Sequence, residues 1–412
     1  MKRIPRGVRR GLVAGLALVS AVSLVACSDG GSDGGGSTDS GKAPYVLGFN
    51  DDLSGAISFA GLTNLAGVET YIDFVNSNGG VNGHQLELKT LDTRADGATS
   101  ISNYKQLVDD DGAIAVLGNS ASSAWAATGP LATQSQVLQI GYGNADDFFT
   151  TYNPYLFKNG LTQAEQVELQ GQLLSDYLFK DDSDGLKVAI MSSDTASGPP
   201  YVEGVKELAD ENGWDVVEEQ VVAIGATDCT AQAAKVAASG ADVILGNVTS
   251  VGEDIVCFNQ LKSQGFDKPF VDTVSSAAEK TYQTLADPNW ITLRAFNWWD
   301  DAENPGIADM LAQAKEFGHD DQLGAYSSDG YVAATLVVKA LEACGDDCTG
   351  ESVATALSAL QDVDTNGIAG PNLGYTEGDL GHTIPQARFY QWDAGKNHTV
   401  AYTDWLCVPD RC

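Results

Sequence analysis

FNDDLSGAISFAGLTNLAGVETYIDFVNSNGGVNGHQLEL, residues 49–88, carries one strand, a turn, a long helix and the entry to a second strand. From Asn64 to Asn76 the apolar residues Leu65, Val68, Ile72 and Val75 are spaced 3, 4 and 3 apart, which puts them on one helical face with polar residues opposite. Asn78-Gly79-Gly80 stops that helix. The same alternation continues outward. Short Val/Ile/Leu-rich runs at 45–50, 85–92, 113–119, 137–143, 187–194, 216–223, 242–248, 269–274, 291–298 and 388–394 are separated by amphipathic stretches. This is the pattern of βα units around mostly parallel sheets. A second βα series starts near Leu186, after Phe157-Lys158-Asn159-Gly160, so two similar halves are expected. About 370 residues exceed what one hydrophobic core usually serves, which also argues for two lobes.

The first 27 residues read as an address label. Lys2, Arg3, Arg6, Arg9 and Arg10 form a basic start, and GLVAGLALVSAVSLVA (11–26) is an apolar run short for a membrane span. Leu24-Val25-Ala26-Cys27 resembles the bacterial lipobox, in which the cysteine receives lipid. The alternative is a plain secretory signal with a chance cysteine. Residues 28–43, rich in Gly, Ser and Asp, are expected to be a tether reaching about 20 Å. Taking the five signal cations from 23 Lys+Arg leaves 18 against 56 Asp+Glu, a formal charge of −38 on the mature chain. Nucleic acid is therefore not an expected partner.

With Cys27 assigned to lipid, six cysteines remain, an even number that favours disulfides in an exported protein. Cys344 and Cys348 flank a short turn and Cys407 and Cys412 bracket Val-Pro-Asp-Arg, leaving Cys229 with Cys257; the alternative is six free thiols. The motifs of phosphate loops, nucleophile elbows and zinc proteases are missing, and His84, His319, His382 and His398 are scattered without ligand spacing. Neither catalysis nor a metal nor a cofactor is expected.

The opening segment resembles that of the leucine/isoleucine/valine-binding protein family, the type I periplasmic binding proteins of ABC importers, through Leu53-Ser54-Gly55 and Gly79-Gly80-Val81-Asn82-Gly83-His84-Gln85-Leu86. The similarity runs on through VLGNSASSAWAATGPLATQSQVLQIG (116–141) and GADVILGN (240–247) to FYQWDAG (389–395). The resemblance implies an α/β fold of two Rossmann-like lobes with mostly parallel sheets, joined by a three-segment hinge in a Venus-flytrap arrangement. It places lobe one at 44–160 plus 299–378 and lobe two at 161–298 plus 379–412. The crossovers are expected near Asn159-Gly160, Trp298-Trp299 and Gly378 to His382.

It also implies a monomeric, extracytoplasmic lipoprotein that binds a small molecule, a hydrophobic amino acid or related carboxylate, and delivers it to membrane permease subunits. The alternatives are a sensor that docks on a membrane receptor and a binder of an aromatic acid or amide lacking an α-ammonium group.

By the same resemblance the ligand carboxylate is held by Ser122 and backbone N–H groups at a helix start, with Ser123 beside it; helix N-termini favour anions. The alternative is that Ser120, Ser122 and Ser123 are only N-cap residues. The family's next contact falls within Gly143-Asn144-Ala145, where Asn144 stands in for a threonine or is a left-handed turn residue. In the second lobe, the family's tyrosine position falls on Ser197 and its next aromatic on Val248 or Thr249. The glutamate that neutralises the amino-acid ammonium is missing around Thr273-Val274-Ser275-Ser276. Either Asp52, Asp146 or Asp194 replaces it, or the ligand has no ammonium; the second reading is preferred, since an unpaired buried charge is costly. Phe59, Trp125 and Trp298-Trp299 are candidate walls for a planar or apolar ligand, or else ordinary core residues.

Overall fold

The structure is a computed structural model that describes residues 41–55, 57–143, 152–180, 182–375 and 386–408. Every contact below lies within the unit Ser40–Cys412. The expected alternation is present, and it builds two sheets wound in the same order. The first contains β1 (Tyr45–Asp51), β2 (Leu86–Asp92), β3 (Ala115–Gly118), β4 (Leu138–Gly141) and β5 (Leu156–Lys158), all parallel in the order β2-β1-β3-β4-β5.

The second contains β6 (Lys187–Ser193), β7 (Asp215–Val222), β8 (Val243–Asn247), β9 (Phe270–Asp272) and β10 (Trp290–Arg294), parallel in the corresponding order β7-β6-β8-β9-β10. Three strands from the C-terminal segment complete it: β11 (Gln386–Asp393), antiparallel to β10, then β12 (His398–Ala401) and β13 (Leu406–Cys407), each paired with β11. Strand order reverses between β1 and β3 in one sheet and between β6 and β8 in the other. Crevices open at the C-terminal ends of strands at such switch points.

Eleven α-helices connect these strands among the described residues. The helix expected over 64–76 is α1 (Ser58–Ser77), longer at its start because the Asp52 carboxylate organises the turn before it, accepting from the backbone N–H groups of Ser54, Gly55 and Ile57. Gly80, at φ +75°, then turns the chain so closely that a Cβ there would lie 2.0 Å from the His84 carbonyl oxygen.

Helices α2 (Gly97–Lys105), α3 (Ser122–Ser135), α4 (Gln163–Leu173), α5 (Gly198–Asn212), α6 (Thr230–Ser239), α7 (Val251–Ser263) and α8 (Glu279–Leu285) follow. After β10 come α9 (Pro305–Phe317), α10 (Ser327–Cys344) and α11 (Gly350–Ser358). Helix α10 packs on α1, while α11 contacts β3 and β4. The stretch after β10 thus rejoins the first sheet, and β11 returns to the second.

The α1–α10 contact is close because small residues face each other: a Cβ on Gly67 would fall 2.1 Å from the Ser327 carbonyl oxygen, and one on Gly330 2.0 Å from that of Asn64. The strands β5, β12 and β13 were not anticipated. They are two to four residues long, too short for a period-2 signal. Cys229 is bonded to Cys257 and Cys344 to Cys348. Cys407 is disulfide-bonded as well; Cys412, its expected partner, lies outside the described residues, as do Cys27, the signal segment and the crossover at 378–382. Among the described residues no helix is long and apolar enough to cross a membrane.

Candidate functional site

Both switch points open onto one cavity of about 270 Å³. The first sheet contributes Ile57, Phe59 and Ala60 after β1 and Ser120 to Ser123 after β3. The second contributes Thr195, Ala196 and Ser197 after β6, and Thr249 and Ser250 after β8. Lys158, Asn159, Gly160 and Leu161, from the expected first crossover, and Tyr326 and Asp329, at the start of α10, close the sides.

The β3–α3 turn is built for this position. Asn119 adopts φ +59°, and the next residue is fastened: Ser120 donates its backbone N–H (2.9 Å) and its hydroxyl (2.8 Å) to the buried Asp51 carboxylate. Burial raises the Asp51 carboxyl to about 6, against the lowering effect of the Ser120 bonds. Ala121 is the extended N-cap of α3 and supplies no side-chain cap, so Ser122 is the first helical residue. Backbone N–H groups of the first turn and the Ser122 and Ser123 side chains stand at the cavity wall, a setting that favours an anion. Opposite, Ser197 is the N-cap of α5, likewise without a side-chain cap bond; its hydroxyl lies 3.0 Å from that of Thr195.

Of the other expected contacts, Phe59, Thr249 and Ser275 line the cavity. Phe59 meets Tyr326 edge-on with ring centroids 6.0 Å apart, so an aromatic pair forms part of the apolar wall. Trp125 does not line it. The helical turn carries its ring inward, where it is 1% exposed and covers the end of β4: a Cβ on Gly141 would lie 2.4 Å from it. Gly143 sits under the same tryptophan and also stays off the wall. Trp299 packs against two hydrophobic clusters, and Trp298 is buried edge-on against Tyr282, so both are packing residues off the cavity wall. Asn144 and Asp146 lie outside the described residues. Asp52 is consumed by the turn before α1, and the exposed Asp194 is absent from the cavity wall.

Charge enters the cavity from residues that periodicity passed over. Lys158, 1% exposed, donates to the carbonyl oxygens of Tyr142 (2.8 Å) and Gly143 (2.6 Å). Asp329 is ion-paired with the buried Arg294 of β10, whose guanidinium also donates to the Ala325 carbonyl oxygen (2.7 Å) and lies over the Tyr326 ring. Burial lifts the Asp329 carboxyl to about 6, with Arg294 and then Lys158 pulling the other way. Asn159 donates to the Asp329 carbonyl oxygen (2.9 Å), and Tyr326 Oη to that of Val274 (2.6 Å). The signals existed: Lys158 follows the apolar pair Leu156-Phe157, and Asp329 stands just before the largely apolar run YVAATLVV at 331–338.

Among the described residues no cluster of His, Cys, Asp and Glu is fit to hold a metal. Two doubly wound sheets whose switch points face one shared, mostly apolar cavity define a two-lobed small-molecule binder. The chain belongs to the periplasmic binding protein family, whose model it matches over residues 44–397. It is 25% identical over 315 residues to a Leu/Ile/Val-binding protein homolog 2 of Brucella abortus, covering 76% of this chain and 82% of that one.

Among solved structures it resembles a branched chain amino acid ABC transporter protein from Thermus thermophilus with bound valine, with a TM-score of 0.79 and 19% identity over 89% of this chain and 97% of that one. It also resembles a fatty acid ABC transporter substrate-binding protein from Thermomonospora curvata, with a TM-score of 0.76 and 20% identity over 89% and 93%. These likenesses establish the fold.

Proposed function

We propose that this chain is the substrate-binding protein of an ABC importer. It is held at the outer face of the cell membrane by lipid on Cys27, and as a monomer it captures a small carboxylate, from a hydrophobic amino acid or a related acid, for delivery to permease subunits. The observation that carries this reading is the single cavity shared by the two switch points, with the α3 N-terminus on its wall. The relatives' names point the same way, to Leu/Ile/Val, valine and fatty acid as cargo of similar chains.

Lobe one is taken as 44–160 plus 299–378 and lobe two as 161–298 plus 379–412, hinged at the crossovers near Asn159-Gly160, Trp298-Trp299 and 378–382. Ligand settles first against Ser122, Ser123 and Phe59, and contacts from Ser197, Thr249 and Ser275 then hold the closed form. A ligand shifts that equilibrium only by its differential affinity for the closed state.

A thermal-shift screen of the purified chain against branched-chain amino acids, aliphatic acids, aromatic acids and amides tests the reading. A ligand at a hundred times its Kd adds about 2.7 kcal/mol to the folded state, so a matching class raises Tm by several degrees. If no class raises Tm, solute capture is wrong. Lipid anchoring is tested separately: Cys27→Ser should release the protein from the membrane fraction, and retention would exclude the lipid.

A further inference from the structure

We propose that Ile224 is a specificity-determining lip of the cavity, closing its open end over the apolar end of the bound molecule. This rests on the solute-binding reading and says which part of the ligand is selected: a branched aliphatic or aromatic end that reaches the opening.

Strand order places the two ends of the cavity. After β5 and after β10 the chain passes from one sheet to the other, and the wall residues that follow those strands, Asn159, Leu161 and Ala295, stand at that end. At the other end lie β2 and β7, the outermost strands in the two matching orders β2-β1-β3-β4-β5 and β7-β6-β8-β9-β10. Neither of these is followed by a passage between the sheets: β2 leads to α2 and β3, and β7 to α6 and β8. The loop after each still reaches the cavity wall, through Ala95 from the first sheet and Ile224 from the second.

Both loops are held in place by polar contacts. Arg94 and Ala95 are consecutive left-handed residues, at φ +55° and +54°. They are fixed by Asp92, which accepts from the Arg94 N–H (2.9 Å), and by Thr93 Oγ1, which accepts from the Ala95 N–H (3.3 Å). Such strain persists only where the surroundings impose it, and it concentrates at binding sites. On the other side, Gly225 turns the chain at φ +77° and donates its N–H to the buried Glu253 carboxylate. The second Glu253 oxygen accepts from Ser193 Oγ (3.1 Å), which in turn accepts from the N–H of Thr249, a wall residue. The Cys229–Cys257 disulfide anchors the far end of the same loop to α7.

Within that fastened loop Ile224 is the exception. Val222 before it and Cys229 after it are fully buried, whereas Ile224 is 51% exposed and lines the cavity. It has little core packing to lose, so its apolar surface is covered only when something apolar lies against it. A lip of this kind acts on the bound state and on release, and leaves the fold alone.

Stopped-flow binding to the full chain tests this with leucine, 4-methylpentanoate, phenylalanine and 3-phenylpropanoate, and with alanine and propanoate as counterparts that lack the apolar end. At least one of the first four is expected to bind. Ile224→Ala should weaken it about tenfold, chiefly through faster release. Ile224→Leu should keep its affinity within about threefold. For alanine and propanoate, the unaltered chain and Ile224→Ala should agree within about twofold. Tm without any probe should move by less than about 2 °C in both variants.

Unchanged affinity of the bound probe in Ile224→Ala, equal weakening of its truncated counterpart, or a larger fall in the probe-free Tm overturns the assignment and leaves solute binding intact. If none of the probes binds, the assignment also falls, and the wider thermal-shift screen decides separately whether solute capture falls with it.

Discussion

Arg294 at the end of β10 and Asp329 in the first turn of α10 form a buried ion pair that ties the second sheet to the helix packed on the first. With side chains 1% and 6% exposed, neither charge has water to fall back on. Removing one partner leaves an isolated buried charge, whereas replacing both with apolar residues does not.

Asp329→Asn should therefore cost about 3–5 kcal/mol by denaturant unfolding, and the double variant Arg294→Met with Asp329→Leu should recover most of that loss. A double variant less stable than either single one would show that the pair contributes more than mutual neutralisation.

Ser122 is the first residue of α3 and stands on the cavity wall. Ser122→Tyr should fill this end of the cavity and abolish the ligand-induced rise in Tm. Unchanged ligand binding in that variant would remove Ser122 from the site.

The α1–α10 seam offers a test of packing. Gly330→Ala puts a methyl where the Asn64 carbonyl oxygen already sits and should destabilise by about 1–3 kcal/mol or more. Gly204 in α5 is the control: a Cβ there meets Val167 at 3.7 Å, ordinary contact, so Gly204→Ala should stabilise by about 0.5–1 kcal/mol. Chemical denaturation of both variants checks the opposite signs.

Stability should fall as pH rises through the acid to neutral range. Asp254 and Asp272 are fully buried near Ser276; burial and then the Asp272 charge raise the Asp254 carboxyl, and burial lifts Asp272 to about 7. The folded chain holds these protons more tightly than the unfolded one, so this contribution is complete below about pH 4 and lost by about pH 7. Glu279, raised to about 7 by burial, acts in the same direction. Calorimetry should find Tm lower at pH 8 than at pH 5, with a shallower slope in Asp254→Asn. A rising Tm over that interval would contradict it.

The alternation of strand and helix periods determined that this chain makes parallel α/β sheets, because burial on one face imposes a period visible in any window of a dozen residues. The Leu65-Val68-Ile72-Val75 face and the serines at the start of α3 were legible for the same local reason. Reach across the chain was not.

Which way the Trp125 ring points depends on the helical turn and on Gly141 beneath it, and only the packed structure turns that aromatic away from the cavity. Lys158 and Asp329 are 171 positions apart, and each reads in its own window as an isolated charge. Only the meeting of two switch points sets both on one wall and gives Asp329 to Arg294. That meeting is a long-range contact, and no local period encodes it.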